Sequence, residues 1–389
     1  MRGALRIAVW TLGSTLLLFV LLGLSILIAA NTSGGRALIE RAVASFSAGR
    51  VRLSGLAGSF PQAPGLGQLE LSDADGVWLT AQGLSLRWSP LALLARQVKI
   101  EELHLARLDI ERRPKLKPGK GGRSNPPHLQ LRHLSIDRLE LGPELTGTRV
   151  SLTVRGALHF RSQFDATVQL AARRSDQQGD YELIARLGRQ RVDAGLSLQE
   201  PAGGPLETLL GYPGLGALSM HATLGGPRDA ERLALEVRAG ALLASIRGTL
   251  DLDSQSADLG YELEAPAMTP RPELTWSRVS LRGRWHGAVR SAHADARLEL
   301  AGLATPGGMG ARAIEAILTV EGGALSLHAQ TDGLTLPGSA HDLLARAPLR
   351  IEAAMQLQDA QRPLQLEARH PLFTLQARAV TAAAPRATF

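Results

Sequence analysis

The sequence predicts a mainly β protein: one N-terminal transmembrane helix, then an elongated, curled antiparallel sheet with a few short helices. Three observations carry this. Residues 7–30 form a run of 24 residues without a charge. From Val51 onward apolar residues recur with period two along most of the 389-residue chain, the spacing that lines one face of a strand. The apolar positions are mostly Leu, Ala and Val, with aromatic residues at only 4%, which suits a thin lining better than a thick core.

The uncharged run comes first. At ~1.5 Å rise per residue it makes ~36 Å of helix, enough to cross a ~30 Å hydrocarbon layer. Ile7, Trp10, Leu17, Phe19, Leu22 and Leu27 are its candidate anchor residues. A cleaved signal peptide would have an apolar region of ~7–15 residues and a small-x-small site. Cleavage after Ala30 or Ala29 would instead place Ile28 or Leu27 at the third position before the cut, so a retained anchor is expected. Arg2 and Arg6 hold the short tail in the cytoplasm, because positive flanks stay inside. Arg36 and Arg41 argue the other way, but a long following domain translocates regardless of its charge. The expectation is a single-pass inner-membrane protein, with residues 31–389 in the periplasm of a Gram-negative envelope.

Composition narrows the function classes. There is no cysteine, which suits an oxidising compartment and excludes disulfide staples and thiolate metal sites. The net charge of +7 comes from Arg far more than Lys. Nucleic-acid binding would need a basic stripe interleaved with aromatic residues, so no nucleic acid is expected as a partner. Solvated surface is the plainest role for the arginines, and anionic lipid head groups behind an anchor are the more specific one.

Residues 33–46 predict a short helix with Ser33 as N-cap and an apolar stripe of Ile39, Ala42, Val43 and Phe46, ended by Gly49. The stripe fits either a membrane surface or a cap over the first strands, and the cap is favoured. Strand runs follow: Leu69 and Leu71, then Val77 to Ala81, then Leu84 to Trp88, with breaks at Asp73, Asp75, Gly76 and Gly83. Ser89 and Pro90 open one or two helical turns over 90–96. Two ladders share one pattern: Val98, Ile100, Leu103, Leu105, Leu108, Ile110, and Leu129, Leu131, Leu134, Ile136, Leu139, Leu141. Each step of three would flip the facing, and a bulge between pairs would restore it. The basic stretch 112–123 between them, with Pro114 and Pro118 and three glycines, reads as an exposed loop.

From Arg149 to the end the sequence is a series of alternating runs, including Val150–Val154, Phe164–Leu170, Tyr181–Leu187 and Val192–Leu198. Short helical interruptions are expected at Pro205–Leu210 and 341–346. One side of each strand is apolar and the other polar, as in an antiparallel sheet with one wet face. At about 14 residues per strand and turn this gives ~20–24 strands, more than one twisted open sheet holds without curling or splitting. Two sandwiches or one curled gutter satisfy the pattern. The gutter is favoured, because no compositional break marks a linker. At ~4.8 Å per strand it would run ~100 Å. The expected division is 1–32 tail and anchor, 33–148 capping region, 149–389 groove. Candidate lipid-facing residues are Leu152, Val154, Val168, Leu170, Leu183, Ala185, Leu187, Leu196 and Leu198.

No catalytic, cofactor or metal constellation stands out. The ten histidines are dispersed without HExxH or cysteine partners. Asp251 and Asp253 begin like a calcium loop but lack its glycine and closing glutamate, and read as a turn. There is no GxSxG and no phosphate loop. No cofactor and no enzymatic activity are expected.

The anchor, the segment Val51-Arg52-Leu53-Ser54-Gly55-Leu56-Ala57-Gly58-Ser59-Phe60, the turn Trp88-Ser89-Pro90-Leu91-Ala92-Leu93-Leu94 and the two ladders together resemble the TamB family. These are AsmA-like inner-membrane subunits of the translocation and assembly module. The resemblance is clearest over roughly residues 1–160 and becomes generic alternation beyond. It implies an apolar β-taco groove, movement of phospholipids between inner and outer membranes, and work with a TamA-type outer-membrane barrel in outer-membrane protein assembly or secretion. Members of the family are far longer and end in a domain that meets the outer membrane. This sequence stops at Phe389 without it, so a truncated or split gene product is expected, with the barrel-contacting C-terminal region missing. The expected partners are therefore the inner membrane, phospholipid acyl chains and, through that missing region, the barrel. Two other readings stay open: an assembly scaffold that pairs an edge strand with a client strand by β-augmentation, and a structural envelope protein with filled sandwiches.

Overall fold

The structure, a computed structural model, describes residues 31–115, 128–162, 165–288, 291–338, 341–357 and 363–380. The chain divides into two compact units, Met1–Asp176 and Gln177–Phe389. The expected division at 148/149 falls inside the first unit, between two strands that pair with each other. Residues 7–30, with Ile7, Trp10, Leu17, Phe19, Leu22 and Leu27, lie outside the described residues. Among the described residues no helix is long and apolar enough to cross a membrane.

The first unit opens with helix α1 (Ser33–Phe46). Its cap is Thr32 rather than Ser33: the Thr32 hydroxyl accepts from the Gly35 N–H at 3.2 Å. Seven strands follow: β1 (Val51–Ser59), β2 (Ala63–Asp73), β3 (Gly76–Trp88), β4 (Gln97–Ile110), β5 (His128–Leu141), β6 (Val150–Ser162) and β7 (Asp165–Arg174). α1 lies along β1, where Arg36 donates to the Gly58 carbonyl at 2.8 Å and the Leu56 N–H donates to Glu40 at 2.9 Å. Those two polar bonds set its rotation. Ile39 and Val43 turn half-buried toward the strands, while Ala42 is exposed and Phe46 is 93% exposed. The expected cap thus uses half of its stripe.

Each of these strands pairs with the next, antiparallel except for β4 and β5. That pair is parallel, a departure from the antiparallel expectation. Its register matches the two ladders term by term at an offset of 31, from Val98 opposite Leu129 to Ile110 opposite Leu141. The basic stretch is therefore part of a crossover. The chain between Ile110 and His128 meets the dozen or more residues that a parallel connection requires. Its described start is tied down: Arg112 holds Asp73 through bonds of 2.8 and 2.5 Å, and Lys115 reaches Asp75 at 2.7 Å. The step of three is absorbed by register shifts at Leu131/Leu134 and Ile136/Leu139 against β6. On the other flank the β3–β4 register shifts at Arg87/Trp88; Gly83 (φ 61°) stays in register opposite Ala106, and a Cβ there would stand 2.8 Å from that of Ala106. A 3-10 turn (Pro90–Ala95) joins β3 to β4, and helix α2 (Pro143–Thr146) joins β5 to β6.

The second unit holds β8 (Asp180–Leu187), β9 (Arg191–Glu200), helix α3 (Pro205–Leu210), β10 (Leu218–Pro227), β11 (Glu231–Ala239), β12 (Leu242–Asp251), β13 (Ser256–Ala265), β14 (Met268–Arg271), β15 (Leu274–Trp276), β16 (Arg278–Ala288), β17 (His293–Ala304), β18 (Gly310–Glu321), β19 (Ala324–Asp332), β20 (Leu349–Gln356), β21 (Pro363–His370) and β22 (Phe373–Val380). From β8 to β13 and from β16 to β22 each strand pairs antiparallel with its successor, and β13 pairs with β16. β14 and β15 form a side ribbon. The stretch 341–346 is turn rather than helix. Asp342 accepts from the Ala345 N–H at 3.2 Å without continuing into an α-helical ladder.

Candidate functional site

The register turns alternation within each strand into apolar rows running across them. In the second unit one row reads Leu183, Leu196, Ala222, Leu235, Ile246, Tyr261, Gly283, Ala296, Leu318, Leu327, Ala353, Leu366. A neighbouring row begins Tyr181, Leu198, Met220, Val237, and another begins Ala185, Ala194, Leu224, Leu233. At ~4.8 Å per strand the thirteen ladder strands carry these rows for about 60 Å. Gly283 is the gap in its row, and the Tyr261 ring fills it: a Cβ on Gly283 would lie 2.6 Å from Cζ of Tyr261.

Burial along the row decides what the face can do. Every member from Leu183 to Leu366 is half-buried. Cross-strand neighbours shield such positions, whereas a second packed layer would bury them, as protein interiors are close-packed. Apart from Ala368 within β21, the fully buried apolar residues of this unit sit at or next to strand ends or in connections, among them Val192, Leu218, Ala239, Ala265 and Ala292. Carboxylates sit at strand ends too. Glu200 accepts from the Tyr181 hydroxyl and from the Leu206 N–H at 3.2 Å. Glu231 is 0% exposed, and among the described residues neither of its carboxylate oxygens has a hydrogen-bond partner.

The opposite face is charged. Arg282 bridges Glu262 at 2.7 Å and Glu264 at 2.5 Å, and Arg247 holds Glu236 at 2.5 Å. Bonding to Glu264 pushes the Arg282 guanidinium above its ordinary value, and Arg247 holds Glu236 below its own. A hollow of 790 Å³ opens among these groups, lined by Arg247, Glu262, Arg282, Arg284, Asp295 and Arg297. Exposed ion pairs of this kind contribute about 0–1 kcal/mol each, so the face is better described as a solvated exterior than as a source of stability.

The first unit has rows of its own, such as Leu84, Leu105, Ile136, Val154, Ala172. Here the middle is buried: Leu105 and Ile136 are 7% exposed and Val154 is 6%. The nine candidate lining residues therefore divide. Leu152 and Val154 are buried, Val168, Leu183, Ala185, Leu187, Leu196 and Leu198 are half-buried, and Leu170 is 40% exposed. The row members on β10, β12 and β19, such as Met220, Ile246 and Leu327, are not among those nine. Their alternation is plain in the sequence. The acidic strand ends have no counterpart in the sequence pattern, since a lone glutamate at the end of an apolar run carries no such signal. Among the described residues no group of three or more His, Cys, Asp or Glu could hold a metal ion. In comparisons with known proteins, no family model, no curated protein and no solved structure matches the chain.

Proposed function

We propose that this chain is an inner-membrane-anchored periplasmic protein whose apolar face, curled along its length into a groove, carries phospholipid acyl chains toward the outer membrane. In this reading it works as part of a translocation and assembly module of the TamB type. The observation that carries the reading is the long half-buried row from Leu183 to Leu366. Among the described residues it offers apolar area without a layer packed on it, and each acyl CH₂ buried there gains ~0.8 kcal/mol. The anchor and the single-pass topology rest on the uncharged run 7–30 and on Arg2 and Arg6. The reading needs no catalysis and no cofactor.

A photo-crosslinking residue at Leu183 should capture phospholipid in cells, and one at Arg186 on the wet side should not. Mass spectrometry of the detergent-purified chain should find co-purifying phospholipid. No lipid at Leu183 and none co-purifying would end the conduit reading. For orientation, Gly121→Cys should react with a membrane-impermeant thiol reagent once the outer membrane alone is permeabilised.

One observation favours a second reading, assembly of outer-membrane proteins by β-augmentation. β22 pairs only with β21 among the described residues, and its side chains from Phe373 to Ala379 are all exposed. A strand edge of that kind accepts a client strand. Crosslinks from Leu375 to a β-barrel client or a TamA-type barrel would favour this reading.

A further inference from the structure

The 3-10 turn Pro90–Ala95 buries none of its residues. Leu91 is 80% exposed, Leu94 87% and Leu93 48%. Isolated exposed leucines need no explanation, but three within four positions of a fixed turn form a patch. The turn is held firmly. The Trp88 indole donates to the Pro61 carbonyl at 2.6 Å, and the Trp88 N–H to the Gln62 carbonyl at 3.0 Å. The Ser89 N–H donates to the Lys99 carbonyl at 2.9 Å, and Arg96 closes the turn in a left-handed conformation (φ 54°).

The same bonds fix where the patch lies. Trp88 grips the tip of the β1–β2 hairpin, and Asn31 grips that tip too. The Asn31 side chain donates to the Phe60 carbonyl and accepts from the Phe60 N–H, both at 3.0 Å. The leucine patch is thus at the end of the first unit where the chain enters. One residue before Asn31, the uncharged run 7–30 ends. Exposed Arg96 and Lys99 flank the patch.

We propose that the 3-10 turn is a membrane foot: Leu91, Leu93 and Leu94 enter the interfacial layer of the bilayer that holds residues 7–30, and Arg96 and Lys99 face its anionic head groups. The occupant is a lipid surface because the chain's own apolar run ends beside the patch, and because the flanking charges match acidic lipid. The foot would fix the tilt of the first unit against the membrane, which a single helix with a short linker does not. This inference rests on the anchor reading of 7–30.

The chain has no cysteine, so Leu91→Cys and Leu94→Cys each give one labelling site at an exposed position. Each is labelled with an environment-sensitive thiol dye, and the full chain is reconstituted in vesicles of phosphatidylethanolamine with phosphatidylglycerol. Leu210→Cys, at a position 56% exposed in the second unit, is the reference. Dyes at Leu91 and Leu94 should shift to the blue and lose several-fold more emission than the reference to lipids quenching ~5–10 Å below the head groups. They should also be protected from iodide. If the chain resists alkaline extraction while these dyes behave like the reference, the foot is overturned and the anchor stands. Disulfide-linked dimers of Leu94→Cys without lipid quenching overturn it in favour of a second copy. Release of the chain at alkaline pH overturns the anchor and the foot together.

Discussion

Arginine substitution at two row positions, Leu183→Arg and Val154→Arg, separates an open apolar face from a filled core. Both residues belong to apolar rows, and their burial differs: Val154 is 6% exposed on β6 and Leu183 is half-buried on β8. Full burial of a leucine contributes about 1.5–3 kcal/mol. Leu183 realises part of that, and the arginine stem recovers some while its head reaches water, so a loss of about 1–2 kcal/mol is expected. For a unit of 150–250 residues this lowers Tm by about 2–8 °C. Val154→Arg leaves an unpaired charge in packed surroundings, which costs about 3–5 kcal/mol or more. Against a total of about 5–15 kcal/mol, the second change brings its unit close to unfolding and the first does not. Thermal circular dichroism and protease resistance of the purified chain measure both. Lipid capture by a photo-crosslinker at Leu196, the cross-strand partner of Leu183, should fall at least about tenfold in Leu183→Arg, since each 1.4 kcal/mol of guanidinium desolvation is a factor of ten. Equal destabilisation by the two substitutions would refute the open face.

Three further changes have definite expected outcomes. Gly83→Val forces a β-branched residue into positive φ and a Cβ to within 2.8 Å of that of Ala106, so urea denaturation should show a loss of about 2 kcal/mol or more; a loss under about 0.5 kcal/mol would mean this position tolerates side chains. Hydrogen bonds from Arg112 first, then from the Lys115 N–H, hold the Asp73 carboxyl far below its usual range. Its stabilising contribution is therefore complete above about pH 4 and is lost as pH falls from there toward the folded pKa, so Asp73→Asn should flatten the decline of Tm in acid, and an unchanged slope would assign that decline elsewhere. Glu231→Leu removes a carboxylate that is 0% exposed, with both oxygens unpartnered among the described residues, and Tm should rise, by the equivalent of about 1–3 kcal/mol; a fall would show that the carboxylate has a partner in solution.

How far the sequence reaches is clearest at the two ladders. Their spacing of two, three, two, three, two predicted kinked strands whose facing is restored between pairs, and the shifts at Leu131/Leu134 and Ile136/Leu139 do this. The same spacing reads identically in both directions, so it cannot state whether the strands run parallel. Direction is set by the connection, whose length permits a crossover and whose Arg112 is pinned to Asp73. The rows show a similar limit. Alternation at Tyr181–Leu187 predicted which side chains share a face, and the antiparallel register aligns that face with β9 through Leu183 opposite Leu196. Alternation says nothing of what lies above the face, and Val154 and Leu183 have the same local pattern with different burial. Burial is a property of the neighbours that the fold brings up, and a two-residue period is blind to it. For that reason the contrast between those two positions carries more information about function than any further reading of the strands themselves.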